Sequence, residues 1–312
     1  MEQSVRRRLD LGGPLSRVII PLAFGITRRA MLRAGVVSRE RRIEGILVHA
    51  YEAPGRPGSD PDMPVVLLHG IADSALTWAF TMRGMARIGP VYALDLPGFG
   101  LSGYPPGRRY ATIGEHVAVV SSFIETVIGR PALVVGNSMG GWIAGRLAEL
   151  APARVRGIVM IDPGGAMLDG EASWEPFVRT VSVSDLRSVR MIYRQMFGRI
   201  NPALYLGQRG FQDLFLRDAV RQFIQSASVA DFFTAEDLRQ IAAPTALVWG
   251  ACDRFLPAGS FEFFRDNLPG ARVLVLEGCG HLPQQEQPRR LVRFVREFAA
   301  SLPGAALAPL SA

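Results

Sequence analysis

Lysine is missing from this 312-residue chain: all 35 of its basic residues are arginine. That reads as the base composition of a genome before it reads as chemistry. Cysteine is nearly missing too. Two residues, Cys252 and Cys279, exclude a disulfide framework and fit a reducing compartment. Both stand at the expected ends of neighbouring strands, which allows a bridge if the protein is exported and predicts two small buried thiols otherwise. The four histidines are His49, His69, His116 and His281, and no cluster of metal ligands accompanies them, so neither a metal nor an organic cofactor is expected. No apolar run approaches the roughly 18 to 20 residues that cross a bilayer. No repeat or low-complexity tract is present. What remains, 48% hydrophobic and 20% charged, is the balance of a globular chain and excludes disorder.

Charge is unevenly placed. The whole chain carries +7, and residues 1–42 alone hold ten arginines against Glu2, Asp10 and Glu40, so the rest is balanced. An apolar stretch at 18–26 lies inside this basic extension. The combination predicts a segment lying on an anionic membrane, in a protein otherwise cytoplasmic and at most peripheral to the inner membrane. The competing expectation is an arm that docks on the rest of the fold with solvated arginines. Arg17, Pro21 and Arg28-Arg29 argue against a cleaved signal peptide, and no recognition motif supports nucleic-acid binding.

The chemistry is announced by Gly136-Asn137-Ser138-Met139-Gly140, which follows the apolar run 131–135 and opens a helical stretch at 141–150. Strand, Gly-X-Ser-X-Gly and helix make a nucleophile elbow, a reversal so tight that the serine is strained and glycines must flank it. Ser138 is the expected nucleophile. His281, in Gly278-Cys279-Gly280-His281, is the one histidine beyond the last expected strand and is the expected base. Asp253, after the strand-like run 245–250, is the expected acid; Asp162, ending the run 157–161, competes for that role but also reads as a turn residue. The Met139 N–H and the Ile71 N–H should form the oxyanion hole, with Gly70 supplying unusual dihedrals and His69 bracing the loop. His49 and His116 read as packed or solvated histidines.

Strand-like runs at 46–51, 65–69, 91–95, 132–136, 157–161, 246–250 and 273–276 alternate with helical stretches, including 113–128 and 289–300. That pattern predicts a mostly parallel sheet flanked by helices, with ligands beyond the carboxyl ends of the strands. Residues 164–240 break the alternation and are rich in aromatics and methionine. They predict a helical cap that is mostly packing, with a minority of side chains lining an acyl pocket. The expected division is a basic extension at 1–42, a core at 43–163 and 241–301, the cap at 164–240 inserted after the sixth strand, and a tail at 302–312.

Across roughly residues 43 to 301 the chain resembles the α/β-hydrolase superfamily, through LLHGIADSALTW, LDLPGFGLS, VVGNSMGG, LVWGACDRFLP and EGCGHLPQQEQP in the family's order and spacing. It looks most like the bacterial lipase and monoacylglycerol-lipase branch. The resemblance implies an α/β-hydrolase fold and hydrolysis of a carboxylic ester, with a lipid-like or hydrophobic acyl group, through an acyl-enzyme. It is also similar to the meta-cleavage C–C hydrolases, which share GNSMGG and a Cys-Gly-His segment. Those carry His-Gly-X-Gly-Pro-Gly and a tryptophan after the histidine, where this chain has HGIADSA and Leu282. C–C hydrolysis and cofactor-free perhydrolysis are the alternative chemistries for the same triad, and a non-catalytic binding scaffold is the alternative of another class.

Overall fold

The computed structural model describes residues 15–304, apart from 171–174, 176, 177, 179, 180 and 227. Its centre is set by runs that leave water on both sides. Strands β3 (Val65–Leu68), β5 (Ala132–Asn137), β6 (Val155–Ile161) and β7 (Thr245–Gly250) are buried almost throughout. Alternate residues of such strands face opposite ways. Val66, Leu68, Val134, Ile158, Met160 and Leu247 join one core cluster with Phe123 and Trp142, while Val65, Leu67, Val135, Val159 and Val248 join another with Trp78, Phe294 and Phe298. Each such side chain, fully buried, stabilises by about 2 kcal/mol against exposure.

With β1 (Val37–Ile43), β2 (Ile46–Ala53), β4 (Val91–Leu94) and β8 (Arg272–Leu276), these strands form an eight-stranded sheet in the order β1-β2-β4-β3-β5-β6-β7-β8. Strand β2 pairs antiparallel with both β1 and β4; the pairings from β4 to β8 are parallel. One edge differs from expectation. Val37–Ile43 reads VSRERRI and lies almost wholly in the segment taken as extension, yet it completes the sheet, with Arg41 ion-paired to Glu52 on β2. Its side chains are mostly exposed, so the arginines cost nothing there and discourage further strand addition.

Helix α1 (Ser16–Arg33) precedes the sheet. Helices α2 (Ile113–Phe123), α3 (Met139–Leu150), α7 (Ser260–Asn267) and α8 (Pro288–Ser301) flank it. Thr112 and Glu115 form a reciprocal capping box that starts α2; at its far end the turn widens over Ile124–Ile128 and stops at Gly129, φ 72°. A helical cap follows β6, with α4 (Leu186–Met196), α5 (Gln208–Phe215) and α6 (Asp218–Ser226). Tyr193, Phe211 and Phe215 pack ring to ring within it. Trp174 and Phe177, two of the cap aromatics, and tail residues 305–312 lie outside the described residues.

Candidate active site

Ser138 lies between β5 and α3 with φ 56° and ψ −117°, a left-handed conformation that costs a non-glycine residue about 1–3 kcal/mol. The neighbours make it possible. A Cβ on Gly136 would stand 2.0 Å from the Gly140 carbonyl oxygen, and one on Gly140 would stand 2.3 Å from that of Leu68. Nothing larger than glycine fits either place. The hydroxyl is therefore held above the carboxyl end of the sheet, at the N-terminus of α3.

The structure brings His281 and Asp253 together: the His281 Nδ1–H donates to Asp253 Oδ2 at 2.7 Å, and both side chains are buried. Asp253 is fixed from behind, its Oδ1 accepting from the Phe255 N–H at 2.7 Å and the Leu256 N–H at 3.4 Å. The Phe255 ring packs on the imidazole at 4.8 Å. Asp162, the other candidate acid, ends β6 with φ 41°; its Oδ1 accepts from the Gly250 N–H at 2.9 Å and it is fully buried. Burial first, and the Asp253 charge second, push its carboxyl well above the usual carboxylate range. Its surroundings thus favour the protonated form, while the imidazole is bonded to Asp253. One ligand atom from each of Asp162, Asp253 and His281 falls within 4.8 Å of the others. A cation there would have to take the proton from Asp162 and the Nδ1–H bond from His281, so this donor set fits a hydrogen-bonded relay better than a metal.

On the opposite side, the loop after β3 passes close to the serine. A Cβ on Gly70 would come 3.0 Å from Ser138 Cβ. Gly70 thus permits a close approach and does not, as expected, supply a left-handed turn: it has no left-handed φ, and the strained residue of the loop is Ala72, φ 60°. His69 Nε2 accepts from the Leu96 N–H at 3.0 Å, which leaves the proton on Nδ1, donated to the Gly70 carbonyl at 2.7 Å. Ile71 and Met139 border Ser138 in the cavity beside it.

Sequence reasoning passed over two further residues. Asn137 Nδ2 donates to the His281 carbonyl at 3.0 Å and to the Ile161 carbonyl at 3.2 Å, and its Oδ1 accepts from Gln284 Nε2 at 3.0 Å. Glu286 accepts from the Gly280 N–H and the Gly198 N–H, each at 2.9 Å, tying the histidine loop to the cap. A polar residue at the buried end of an apolar strand was the available signal for Asn137. Cys252 and Cys279 are joined through the backbone, the Cys252 N–H donating to the Cys279 carbonyl at 2.7 Å; both thiols are free, and burial pushes that of Cys279 up.

Two cavities meet at Ser138. A slot of about 30 Å³ runs from Ile71 and Met139 past Trp142, Gly164–Ala166, Phe223, Phe232 and Leu256. A wider one, about 140 Å³, holds His281 and is walled by Tyr193, Met196, Phe197, Phe211 and Phe215 of the cap and by Ile20 and Phe24 of α1. Neither lining includes an arginine among the described residues; the polar side chains of the wider one besides Ser138, Tyr193 and His281 are Asp73, Asn137 and Gln285. A strained serine bordering a cavity that also holds an imidazole bonded to a carboxylate is an arrangement that acyl transfer can use.

Known proteins share this architecture. The chain is 26% identical over 271 residues to a monoacylglycerol lipase of Xenopus laevis, covering 81% of this chain and 79% of that protein. It is 29% identical over 256 residues to a 2-hydroxy-6-oxo-2,4-heptadienoate hydrolase of Pseudomonas putida, covering 76% and 89%. The fold matches the crystal structure of a bacterial membrane phospholipase A with a TM-score of 0.69 at 22% identity, over 96% of this chain and 98% of that one. The alpha/beta hydrolase family model matches residues 65–294, from β3 into α8 and across the elbow, and the chain belongs to that family.

Proposed function

We propose that this hydrolase cleaves carboxylic esters with apolar groups on both sides of the bond, through an acyl-enzyme on Ser138. The observation that carries the reading is the position of Ser138 where two largely apolar cavities meet, with His281, bonded to Asp253, lining the wider one. Ser138 Oγ attacks the carbonyl carbon and its proton passes to His281 Nε2. The carbonyl oxygen takes the negative charge beside the Met139 and Ile71 N–H groups, where fixed donors in a water-poor site are worth most. As the C–O bond breaks, His281 returns the proton to the leaving alkoxide, which departs as alcohol. Water then gives a proton to His281, attacks the acyl carbon and releases the acid, and the proton returns to Ser138. Asp253 holds the imidazole with its proton on Nδ1 throughout, so that Nε2 is free to accept.

C–C bond hydrolysis by the same triad is the rival. The Pseudomonas putida relative is named for a dienoate, an anion, and a cavity that takes an anionic substrate calls for a cation. The linings around Ser138 favour a neutral one. The experiment is a series of p-nitrophenyl esters from acetyl to palmitoyl, with a fluorophosphonate probe to report the serine. Ester turnover with probe labelling lost in Ser138→Ala supports the reading. Labelling of Ser138 without turnover of any ester sinks ester hydrolysis and directs the search to dienoates or to perhydrolysis.

A further inference from the structure

Helix α1 is apolar on two opposite faces, and the fold uses only one. On its inner side Ile20 and Phe24 wall the wider cavity, Met31 is buried, and Ile20 lies so close to the cap that a Cβ on Gly207 or Gly210 would meet it at 3.0 Å. Arg17 pairs with Asp213 at 3.3 Å, and Ser16 Oγ accepts from the Arg209 N–H at 3.2 Å. These contacts fix the rotation of the helix. At about 100° per residue, Leu15, Val18, Leu22 and Ile26 then fall within a single arc on the other side. They stand 72%, 55%, 59% and 57% exposed. A helix that docked only on its own cap would carry polar side chains there.

The same arc continues into Arg29 and Arg33, both exposed and, among the described residues, without an acidic partner. The outward row is thus aliphatic for its first three turns and cationic at its C-terminal end. That order suits an interface in which acyl chains lie beside phosphates. It does not suit a crossing: α1 is 18 residues long, with Pro21 and Arg28-Arg29 inside it, and no helix among the described residues is long and apolar enough to span a membrane. The sequence places the chain's excess positive charge in the same segment, so the long-range attraction and the short-range apolar contact point to one partner.

We propose that the outward face of α1, formed by Leu15, Val18, Leu22, Ile26, Arg29 and Arg33, docks on an anionic lipid surface and sets the cavity behind Ile20 and Phe24 beside that lipid. The docking stands on the helix alone. Its consequence for substrate, an ester drawn from the lipid phase with its leaving group on the His281 side, rests on the ester-hydrolase reading above.

The test uses the full chain and sedimentation with vesicles of phosphatidylcholine alone or mixed equally with phosphatidylglycerol. The chain should pellet with the mixed vesicles, far less with phosphatidylcholine, and progressively less as salt rises. Leu22→Glu with Ile26→Glu should weaken partition by at least about tenfold, and Arg29→Ala with Arg33→Ala by about twentyfold on mixed vesicles only. Neither pair touches the cavity, so hydrolysis of a short soluble ester should not change. Point substitutions are preferred to removal of α1, which would strip a wall from the cavity. Equal pelleting by the parent and by Leu22→Glu/Ile26→Glu overturns the proposal. So does a dimer in solution that this pair dissolves, because the face would then belong to a second copy. Vesicle binding without ester turnover leaves the docking intact and sinks the hydrolysis; turnover without binding does the reverse.

Discussion

Ser38, His49 and Asp95 form a serine–histidine–aspartate relay as complete as any in the molecule. The Ser38 hydroxyl meets His49 Nε2 at 2.7 Å, and His49 Nδ1 meets Asp95 Oδ2 at 2.8 Å. Of Ser138, His281 and Asp253, the imidazole and carboxylate stand 2.7 Å apart, and the serine and imidazole border the same open cavity. The surroundings differ, and they carry the function. Ser38 sits within regular strand β1, its hydroxyl occupied by the imidazole and approached by Arg28 Nη2 at 3.4 Å. Ser138 is strained, borders two cavities and has Gly70 of the loop after β3 beside it. Asp95 also accepts from the Ala75 and Leu101 N–H groups at 2.7 and 3.0 Å, so His49 serves to lock loops onto the sheet. A relay of hydrogen bonds moves a proton only where a substrate can reach one end of it.

The largest separation between the two sets should come from the serines. Ser138→Ala is expected to lower ester kcat by a factor on the order of 10⁴ or more with the fold intact, and Ser38→Ala to leave kcat within about twofold. Comparable losses in both would erase the distinction. The aspartates should separate by kind of effect. Asp253→Asn leaves His281 in the wrong tautomer and should cost on the order of 10⁴ in kcat with little change in the urea midpoint. Asp95→Asn should instead cost about 2–3 kcal/mol of stability, since it weakens three hydrogen bonds to the carboxyl group, two of them fully buried. An Asp95→Asn protein of parental stability and low turnover would reverse the assignment.

His116 belongs to neither relay and serves as the control imidazole. It is fully buried, packed near Phe99 and Phe223, and burial, aided by His69, lowers it from 6.5 to about 3. The unfolded chain binds its proton below pH 6.5 and the folded chain does not, so the stability it supports above that pH is lost as pH falls toward 3. By pH 5 the loss should reach about 2 kcal/mol, and His116→Phe should flatten the fall of Tm over that range by the corresponding amount. Asp162→Asn gives the smallest effect and the opposite sign. Its carboxyl is raised above the ordinary 3.8, so its contribution is full below that pH and declines as pH rises. Asparagine keeps the acceptor for the Gly250 N–H without the titration. Tm of the variant minus that of the parent should therefore grow from pH 4 upward, with turnover retained; a difference flat in pH would mean that Asp162 is ionised in the fold.

Most of the sheet could be read in advance because its central strands are apolar on both faces, and the elbow because its reversal brings Gly136 against Gly140 only four residues on. Strand β1 was hidden by its own composition: at an exposed edge, Arg39, Arg41 and Arg42 are as suitable as valine, and no periodicity marks them. Asn137 and Glu286 were hidden for another reason. Asn137 grips a backbone carbonyl 144 residues along the chain, and Glu286 an N–H 88 residues back, and no local pattern encodes such a distance. Gly70 is expected to matter for unusual dihedrals, and the structure shows a close approach to Ser138 instead, because a sequence does not distinguish the two uses of a glycine. His49 was read as packed or solvated, and its neighbour Ser38 drew no attention, because the pairing that joins them exists only once β1 and β2 are a hairpin.

The end of α4 has a consequence for anyone exchanging caps between relatives. The Met196 carbonyl accepts from the His281 N–H at 2.6 Å, the Gln195 carbonyl accepts from the Arg254 N–H at 3.0 Å, and Glu286 grips Gly198 and Gly280 together. The cap is therefore part of the jig that holds His281 and the loop of Asp253 in place, and not a hood set over a finished site. A chimera cut at the two ends of the insertion would carry over a new specificity wall and discard half of the clamp on its own imidazole. The better cut leaves residues 195–198 with the sheet they serve and replaces only the helices beyond them.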